Sequence, residues 1–333
     1  MSTMYKLKNM SDSRILITGG MGFIGSTLAH KLLSLEANVT LYDAMLPWYG
    51  GNPANIREIK DKVRFIKGDT RNFKLLSKSV KDTDVILNLA AQVSHPISMS
   101  HPLLDIDINC VGNLNVLEAC RRFNDDATVV YSGTRGQVGE ALYLPVDEKH
   151  PDNPLDINGI DKLAAEKYHL LYNRVYGIPT TSVRVGNTYG PRHQMKHGHY
   201  GVLNYFIRKA MLGETIKVYG DGKQTRDYCY VDDVADALIL AAQKKSAIGE
   251  VFLIGSGEMI KFIDMVRKVI EIVGKGSYKL APFPPGRREI NVRNYYTTNR
   301  KIKSILGWEP RTSLEDGLRK TIAFYREKLK EYI

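Results

Sequence analysis

The sequence predicts an α/β fold: a doubly wound parallel sheet carrying a smaller C-terminal α/β lobe. Three observations support that expectation. Apolar, strand-like runs over 14–18, 39–42, 63–67, 85–89, 128–131 and 180–185 alternate with helical patterns, notably 105–123 and 157–176. Strands alternating with helices make parallel sheets. The first run leads into Thr18-Gly19-Gly20-Met21-Gly22-Phe23-Ile24-Gly25, a glycine turn followed by an apolar helical stretch from Ser26 to Leu35. After Asn187 the texture changes, with helical patterns over 204–212 and 232–243 around a short strand and turn at 216–222. The expected organisation is a frayed polar N-terminus (1–13), a sheet domain (14–186), and a mainly substrate-binding lobe (187–333) from which some segments return to the sheet.

The glycine turn is the most specific local signal. A strand, a glycine-rich turn and a helix aim unpaired backbone N–H groups and the positive helix end at a diphosphate. One glycine turns the chain, one admits the pyrophosphate, and one lets helix and strand pack closely. Gly19, Gly22 and Gly25, with Phe23 and Ile24 between them, are therefore expected to bind a dinucleotide in a Rossmann-type sheet. Asp43 ends the second strand about twenty residues later, where a carboxylate accepts both ribose hydroxyls and repels a 2′-phosphate. The cofactor expected is NAD. Asp69, with Thr70 beside it, is placed to hold the adenine amino group. Leu89, Ala90 and Ala91 end the fourth strand in small side chains that let the backbone approach the cofactor.

Composition narrows the class. The chain has 333 residues, 43% hydrophobic and 25% charged, which suits a soluble globular protein. No apolar run reaches the length of a membrane span, and the N-terminus lacks a signal peptide's apolar core. The net charge is +11, but its 47 lysines and arginines are spread along the chain without a basic arm. Nucleic acid is therefore not expected as a partner, and an anionic small substrate suits the balance better. Cys110, Cys120 and Cys229 show neither metal-ligand nor disulfide spacing, so a cytoplasmic location is expected.

With these motifs in place, the chain resembles the extended short-chain dehydrogenase/reductase family, in particular its NAD-dependent nucleotide-sugar epimerases and dehydratases (UDP-glucose 4-epimerase-like). The resemblance rests on the glycine turn, Asp43, Gly68-Asp69, Leu89-Ala90-Ala91-Gln92, and Asn109 with Gly112-Asn113. It continues through Asn187-Thr188-Tyr189-Gly190-Pro191-Arg192, Gly220-Asp221-Gly222, Arg226-Asp227-Tyr228, Val231-Asp232-Asp233 and Leu306-Gly307-Trp308-Glu309-Pro310. It implies an epimerase acting at carbon four through a transient keto sugar, on a nucleotide-diphosphate sugar. Dehydratase, decarboxylase and dehydrogenase activities of the same family are alternatives.

Members of that family carry a hydroxyl residue after the fifth strand, then a tyrosine and a lysine four residues apart on a helix. The tyrosine takes the sugar hydroxyl proton, and the lysine lowers the tyrosine pKa and holds the nicotinamide ribose. Thr134 and Lys162 match the first and last of these positions, but Asn158 stands where the tyrosine belongs. An amide cannot act as general base. His95 is one replacement, because histidine exchanges protons near neutral pH. A tyrosine of the 141–145 loop, such as Tyr143, is another. A catalytically weak protein that binds NAD and a nucleotide sugar, with Asn158 only hydrogen-bonding the sugar, is a third.

Dehydratases of the family place Asp-Glu directly after the threonine, where this chain has Arg135-Gly136. That change disfavours elimination of water and gives Arg135 a possible role toward an anionic substituent such as a uronic carboxylate. The resemblance assigns Asn187, Arg226 and Arg288 to the substrate phosphates, and paired guanidinium forks suit a diphosphate. Asn291 falls where relatives often hold a ribose-binding aspartate. Three histidines lie within 193–199 without a carboxylate or cysteine at ligand spacing, so no metal is expected. Helices 105–123 and 157–176 resemble those of the family's dimer interface, and Leu114, Leu117, Leu170 and Leu171 extend their apolar surface. A homodimer is expected.

Overall fold

The computed structural model describes residues 10–47, 49–285 and 292–333. Six strands run in parallel through the first half: β1 (Arg14–Thr18), β2 (Asn38–Asp43), β3 (Arg64–Lys67), β4 (Val85–Asn88), β5 (Thr128–Thr134) and β6 (Thr180–Val185). The lobe begins with β7 (Asn187–Tyr189), β8 (Thr215–Tyr219), β9 (Thr225–Arg226) and β10 (Tyr228–Tyr230). β11 (Val251–Ile254) then returns to the main sheet, and β12 (Ile260–Lys261) and β13 (Ser277–Ala281) complete the lobe.

The main sheet has seven strands in the order β11-β6-β5-β4-β1-β2-β3, and every pairing is parallel. Parallel strands are covered on both faces, so they read as near-continuous apolar runs. β4 and β6 are buried throughout. β3 lies at the edge and carries Arg64 and Lys67, charges that discourage pairing with another chain. Along β1, Ile15 and Ile17 join the core beneath helices Phe23–Ser34 and Val231–Gln243. Leu16 joins the opposite core with Leu117 and Tyr172. The strand order reverses between β1 and β4, which opens a crevice at their carboxyl ends.

Several segments after residue 186 belong to the sheet's layers rather than to the lobe. β11 extends the sheet beside β6, and helices Val231–Gln243 and Arg300–Leu306 supply its core. The lobe has its own core, in which Phe206, Ile216, Met265 and Leu318 are buried.

Residues 1–9 lie outside the described residues. Met10, expected to be frayed, is 8% exposed and packs into the sheet core, held by its amide on the Leu35 carbonyl. The helix expected over 105–123 starts earlier, with Pro102 in its first turn, and contains a π turn at Asp107–Val111. Within it, Asn109 is pulled inward to bond Asp105 and the Gln92 carbonyl. Helix Ile157–Tyr176 has the predicted bounds, capped by the Asp156 carboxylate and ended by Gly177 at φ 73°.

Candidate active site

A continuous cleft of about 800 Å³ runs from the glycine turn, across the carboxyl ends of β1, β4 and β5, to β9 and β10 in the lobe. At its first end the backbone forms the wall. Gly19 has φ 68°, and a Cβ there would lie 3.0 Å from the Ala90 amide nitrogen. A Cβ on Gly25 would lie 2.4 Å from the Gly19 carbonyl oxygen. Helix Phe23–Ser34 starts at Gly22 without a side-chain cap, leaving its first N–H groups for a ligand. These features fit a dinucleotide diphosphate. Gly22, Phe23, Ile24, Leu89, Ala90 and Ala91 all line this end.

Asp43 also lines the cleft, and its carboxylate accepts from the amides of Met21 at 3.0 Å and Met45 at 2.8 Å. Burial pushes its pKa up, against the pull of those two donors. The same carboxylate thus shapes the turn and retains lone pairs toward the cleft. Asp69 is more heavily engaged, taking 2.9, 3.0 and 2.7 Å bonds from the Arg71 backbone, Nε and Nη2. Arg71 holds its pKa below the usual carboxylate range. Thr70 is buried, and its hydroxyl packs against Gly112.

The reaction end is assembled from side chains of several elements. At the end of β5, Thr134 donates its amide to Gln137 Oε1 at 2.7 Å and accepts the Gly136 amide at 3.2 Å on its hydroxyl. Gln137 is anchored by Glu166, which is itself held by Arg184 and Ser182 in the interior. Lys162 donates to the Ser132 carbonyl at 2.7 Å, and its ammonium lies 4.7 Å from the Tyr131 ring centroid. Burial pulls its pKa down to about 8, with Asp105 acting in the other direction.

Asn158 is 3% exposed and lines the cleft. Its Nδ2 donates to the Gln92 carbonyl at 2.8 Å and faces Asp105 Oδ2 at 3.5 Å. The Gln92 carbonyl can only accept, so the orientation of the amide is fixed and Oδ1 is left as an acceptor. Behind it, Asp105 takes hydrogen bonds from Gln92 and Asn109. Asp161 adjoins Asp105, and burial followed by that neighbouring carboxylate pushes its pKa up to about 7. Asp161 Oδ2 lacks a partner, which it gains once the two carboxyls share a proton.

His95 starts a short helix after β4, capped by Ser94, and lines the cleft beside Gly136. Its Nδ1 lies 2.5 Å from Asp156 Oδ2. Burial raises the Asp156 pKa, but the bonds from His95 and the Gly159 amide carry it below the ordinary value. An ionised carboxylate only accepts, so Nδ1 carries the hydrogen and Nε2 retains its lone pair in the neutral ring. Tyr143 lies away from the cleft: it donates to Asp147 at 2.7 Å and lines a separate surface groove.

At the lobe end, Asn187 Oδ1 accepts from Arg135 Nε at 3.1 Å, and Arg226 donates to the carbonyls of Thr225 and Arg293. Arg288 and Asn291 lie outside the described residues. The ring nitrogens of His193 lie 2.7 and 3.0 Å from the carbonyl oxygens of Gln194 and Tyr200, a structural use of that histidine.

Residues 15–255 match the family model described as the NAD dependent epimerase/dehydratase family. The chain belongs to that family. It is 37% identical over 312 residues to a putative UDP-glucose 4-epimerase of Methanocaldococcus jannaschii, covering 92% of this chain and 97% of that protein. The UDP-glucose 4-epimerase of Thermotoga maritima, solved with UDP-glucose, superposes with a TM-score of 0.86 at 33% identity, over 95% of this chain and 99% of that one. The Thermus thermophilus UDP-glucose 4-epimerase, solved with NAD, gives 0.84 at 30% identity, over 94% and 99%.

For this epimerase/dehydratase family member, sequence reasoning missed Asp156, Gln92, Asp105 and Asp161. Asp156 had a readable signal, as a residue with helix N-cap chemistry just before an apolar periodic stretch. Asp105 and Asn109 stand four apart on one helix face, which hinted at their bond.

Proposed function

We propose that this protein is an NAD-dependent nucleotide-sugar epimerase, inverting carbon four, in which the His95–Asp156 pair moves the proton that a tyrosine moves in similar proteins. The observation behind this reading is the 2.5 Å contact from His95 Nδ1 to the Asp156 carboxylate, which leaves Nε2 as an acceptor in the cleft. NAD would be held by the glycine turn, Asp43 and Lys162, and would supply reversible hydride transfer at carbon four. His95 Nε2 takes the hydroxyl proton as the ketone forms and gives it back as the ketone is reduced. Asp156 orients the ring and stabilises the imidazolium. Thr134 donates its hydroxyl hydrogen to the reacting oxygen, and Asn158 Oδ1 accepts from a neighbouring sugar hydroxyl. Lys162 supplies positive charge and holds the nicotinamide ribose. Asn187, Arg226 and Arg288 hold the diphosphate, and Asp43, Asp69 and Thr70 hold the adenosine end. Arg135-Gly136 supplies no carboxylate pair for water elimination, which favours epimerase over dehydratase.

The test is a panel of UDP-, GDP-, CDP- and dTDP-sugars, followed by product analysis and by NADH absorbance. Reversible conversion without net NADH supports the epimerase. Accumulating NADH points to dehydrogenase chemistry, and binding without turnover leaves a nucleotide-sugar-binding protein in its place.

We further infer a homodimer. Leu103, Ile106, Val111, Ile160, Leu171 and Val175 are exposed on the two helical segments 102–123 and 157–176. Leu117, expected on that outer surface, is instead fully buried in the core. A paired helical face would remove the exposed set from water. No helix among the described residues is long and apolar enough to cross a membrane. The three cysteines are free, in keeping with a cytoplasmic location.

A further inference from the structure

Arg135 brings a positive charge deep into the cleft, directly after Thr134. Its Nε is engaged by Asn187, and its guanidinium lies 5.4 Å from the Tyr295 ring centroid. Among the described residues, the carboxylates that act on its charge are Asp156 and Glu140, which are engaged by His95 and Arg293. Neither comes within ion-pair distance of Arg135. Burial lowers the Arg135 pKa, yet a guanidinium does not give up its proton in a protein. No carboxylate among the described residues pairs with this charge, which is therefore open to an anion from a ligand.

The surroundings are built to receive one. Asn187 Nδ2, Tyr228 Oη and Tyr295 Oη are buried polar atoms with no partner among the described residues. Tyr228 and Tyr295 are 3% and 0% exposed, and both lie within range of the Arg135 charge. Arg226 stands close enough that burial, and then Arg135, pull its pKa down to about 10. Two guanidiniums, the Tyr228 phenol and an amide donor line one part of the cleft, and Tyr295 is enclosed in the core behind Arg135. A diphosphate at Arg226 and Asn187 Nδ2 accounts for only part of that set. Arg135 directly follows Thr134, the residue assigned above to the reacting oxygen, and lines the same cleft.

Resting on the nucleotide-sugar reading above, we propose that Arg135, with Tyr228, binds a carboxylate carried by the sugar. The substrate class is then a nucleotide-diphosphate uronate. A planar guanidinium fork and a phenol hydroxyl satisfy the two oxygens of a carboxylate, whereas a neutral hydroxymethyl leaves the fork unmet.

The test compares UDP-glucuronate with UDP-glucose on the NAD-loaded protein, by calorimetry and by steady-state turnover. The expected result is that UDP-glucuronate binds at least about thirtyfold more tightly. In Arg135→Gln that ratio falls toward one, and in Arg135→Lys it is intermediate. Equal affinity of the unaltered protein for the two sugars overturns the proposal while leaving the epimerase reading intact, and needs no variant to fold. Arg135→Gln weakening UDP alone as much as UDP-glucuronate also overturns it, and assigns the arginine to the phosphates. The pair is taken on the nucleotide that the four-nucleotide panel shows to bind, and binding of no member of that panel overturns the nucleotide-sugar reading and the uronate inference with it.

Discussion

The two ends of the cleft are built by different means. At the glycine turn the backbone makes the surface, and its shape depends on the absence of side chains: a Cβ on Gly25 would sit 2.4 Å from the Gly19 carbonyl and 2.9 Å from Gly20 Cα. At the other end, side chains from the loop after β4, from β5 and from helices line the wall in separate hydrogen-bonded sets, with Asn158 against Gln92 and Asp105, and His95 against Asp156. A backbone site tolerates almost no change, whereas a side-chain network can exchange one member for another and still offer a base, a donor and an acceptor. The cofactor end thus keeps a conventional form while the tyrosine position at the other end holds an asparagine.

The strongest way to separate the two ends is to fill the first. Gly25→Val sets its side chain against backbone atoms that cannot move aside. NAD affinity should fall by more than about 100-fold, together with a loss of about 1–3 kcal/mol of stability from overpacking. Calorimetric titration with NAD and a thermal melt would measure both, and unchanged NAD affinity would refute the cradle. At the other end, His95→Ala should retain NAD affinity within about twofold and lose about 10²–10⁴ of turnover, the usual worth of general acid–base catalysis. Asp156→Asn should lose less. Asparagine still caps helix Ile157–Tyr176, so the helix start is preserved while the charge behind the imidazole is removed. Full turnover in His95→Ala would show that the proton travels by another route.

The same contrast explains what the sequence made legible. The glycine turn and the buried strands β1, β4 and β6 could be read because close backbone packing and two-sided burial each demand particular residue types in unbroken runs. β11 was missed because four apolar residues after a polar stretch resemble any short run, and only the edge of β6 gives them a partner. The partnership of His95 with Asp156 spans 61 positions and follows no periodicity. Thr134, Lys162 and Asn158 could be placed by motif, but the orientation of the Asn158 amide depends on Gln92 and Asp105, which local patterns do not connect to it.

Lys162 lines the cleft shared by the two ends, and its proposed role sets its ammonium against the nicotinamide ribose. With its pKa pulled down to about 8 from 10.5, the folded protein loses this proton before the unfolded chain does. Between those values the unfolded state binds more protons, so stability should rise with pH, by up to about 3 kcal/mol. NAD affinity should fall over the same range as the ammonium becomes neutral. The two trends have opposite signs. Lys162→Met should flatten both, and parallel trends in the unaltered protein would assign the titration to another group.

The smallest expected effect tests whether the network behind Asn158 is strained by its own charge. Asp161 is raised to about 7 by burial and by Asp105, from 3.8 when unfolded. The folded state therefore binds more protons between those values, and stability should decline as pH rises through that window and level off above about 7. Asp161→Asn replaces the shared proton by a permanent amide donor toward Asp105. It should melt a few degrees higher than the parent at pH 8, with the difference shrinking toward pH 4. Matched melting temperatures at both pH values would mean that the two carboxyls do not share a proton, and that the unpartnered Asp161 Oδ2 is satisfied by water instead.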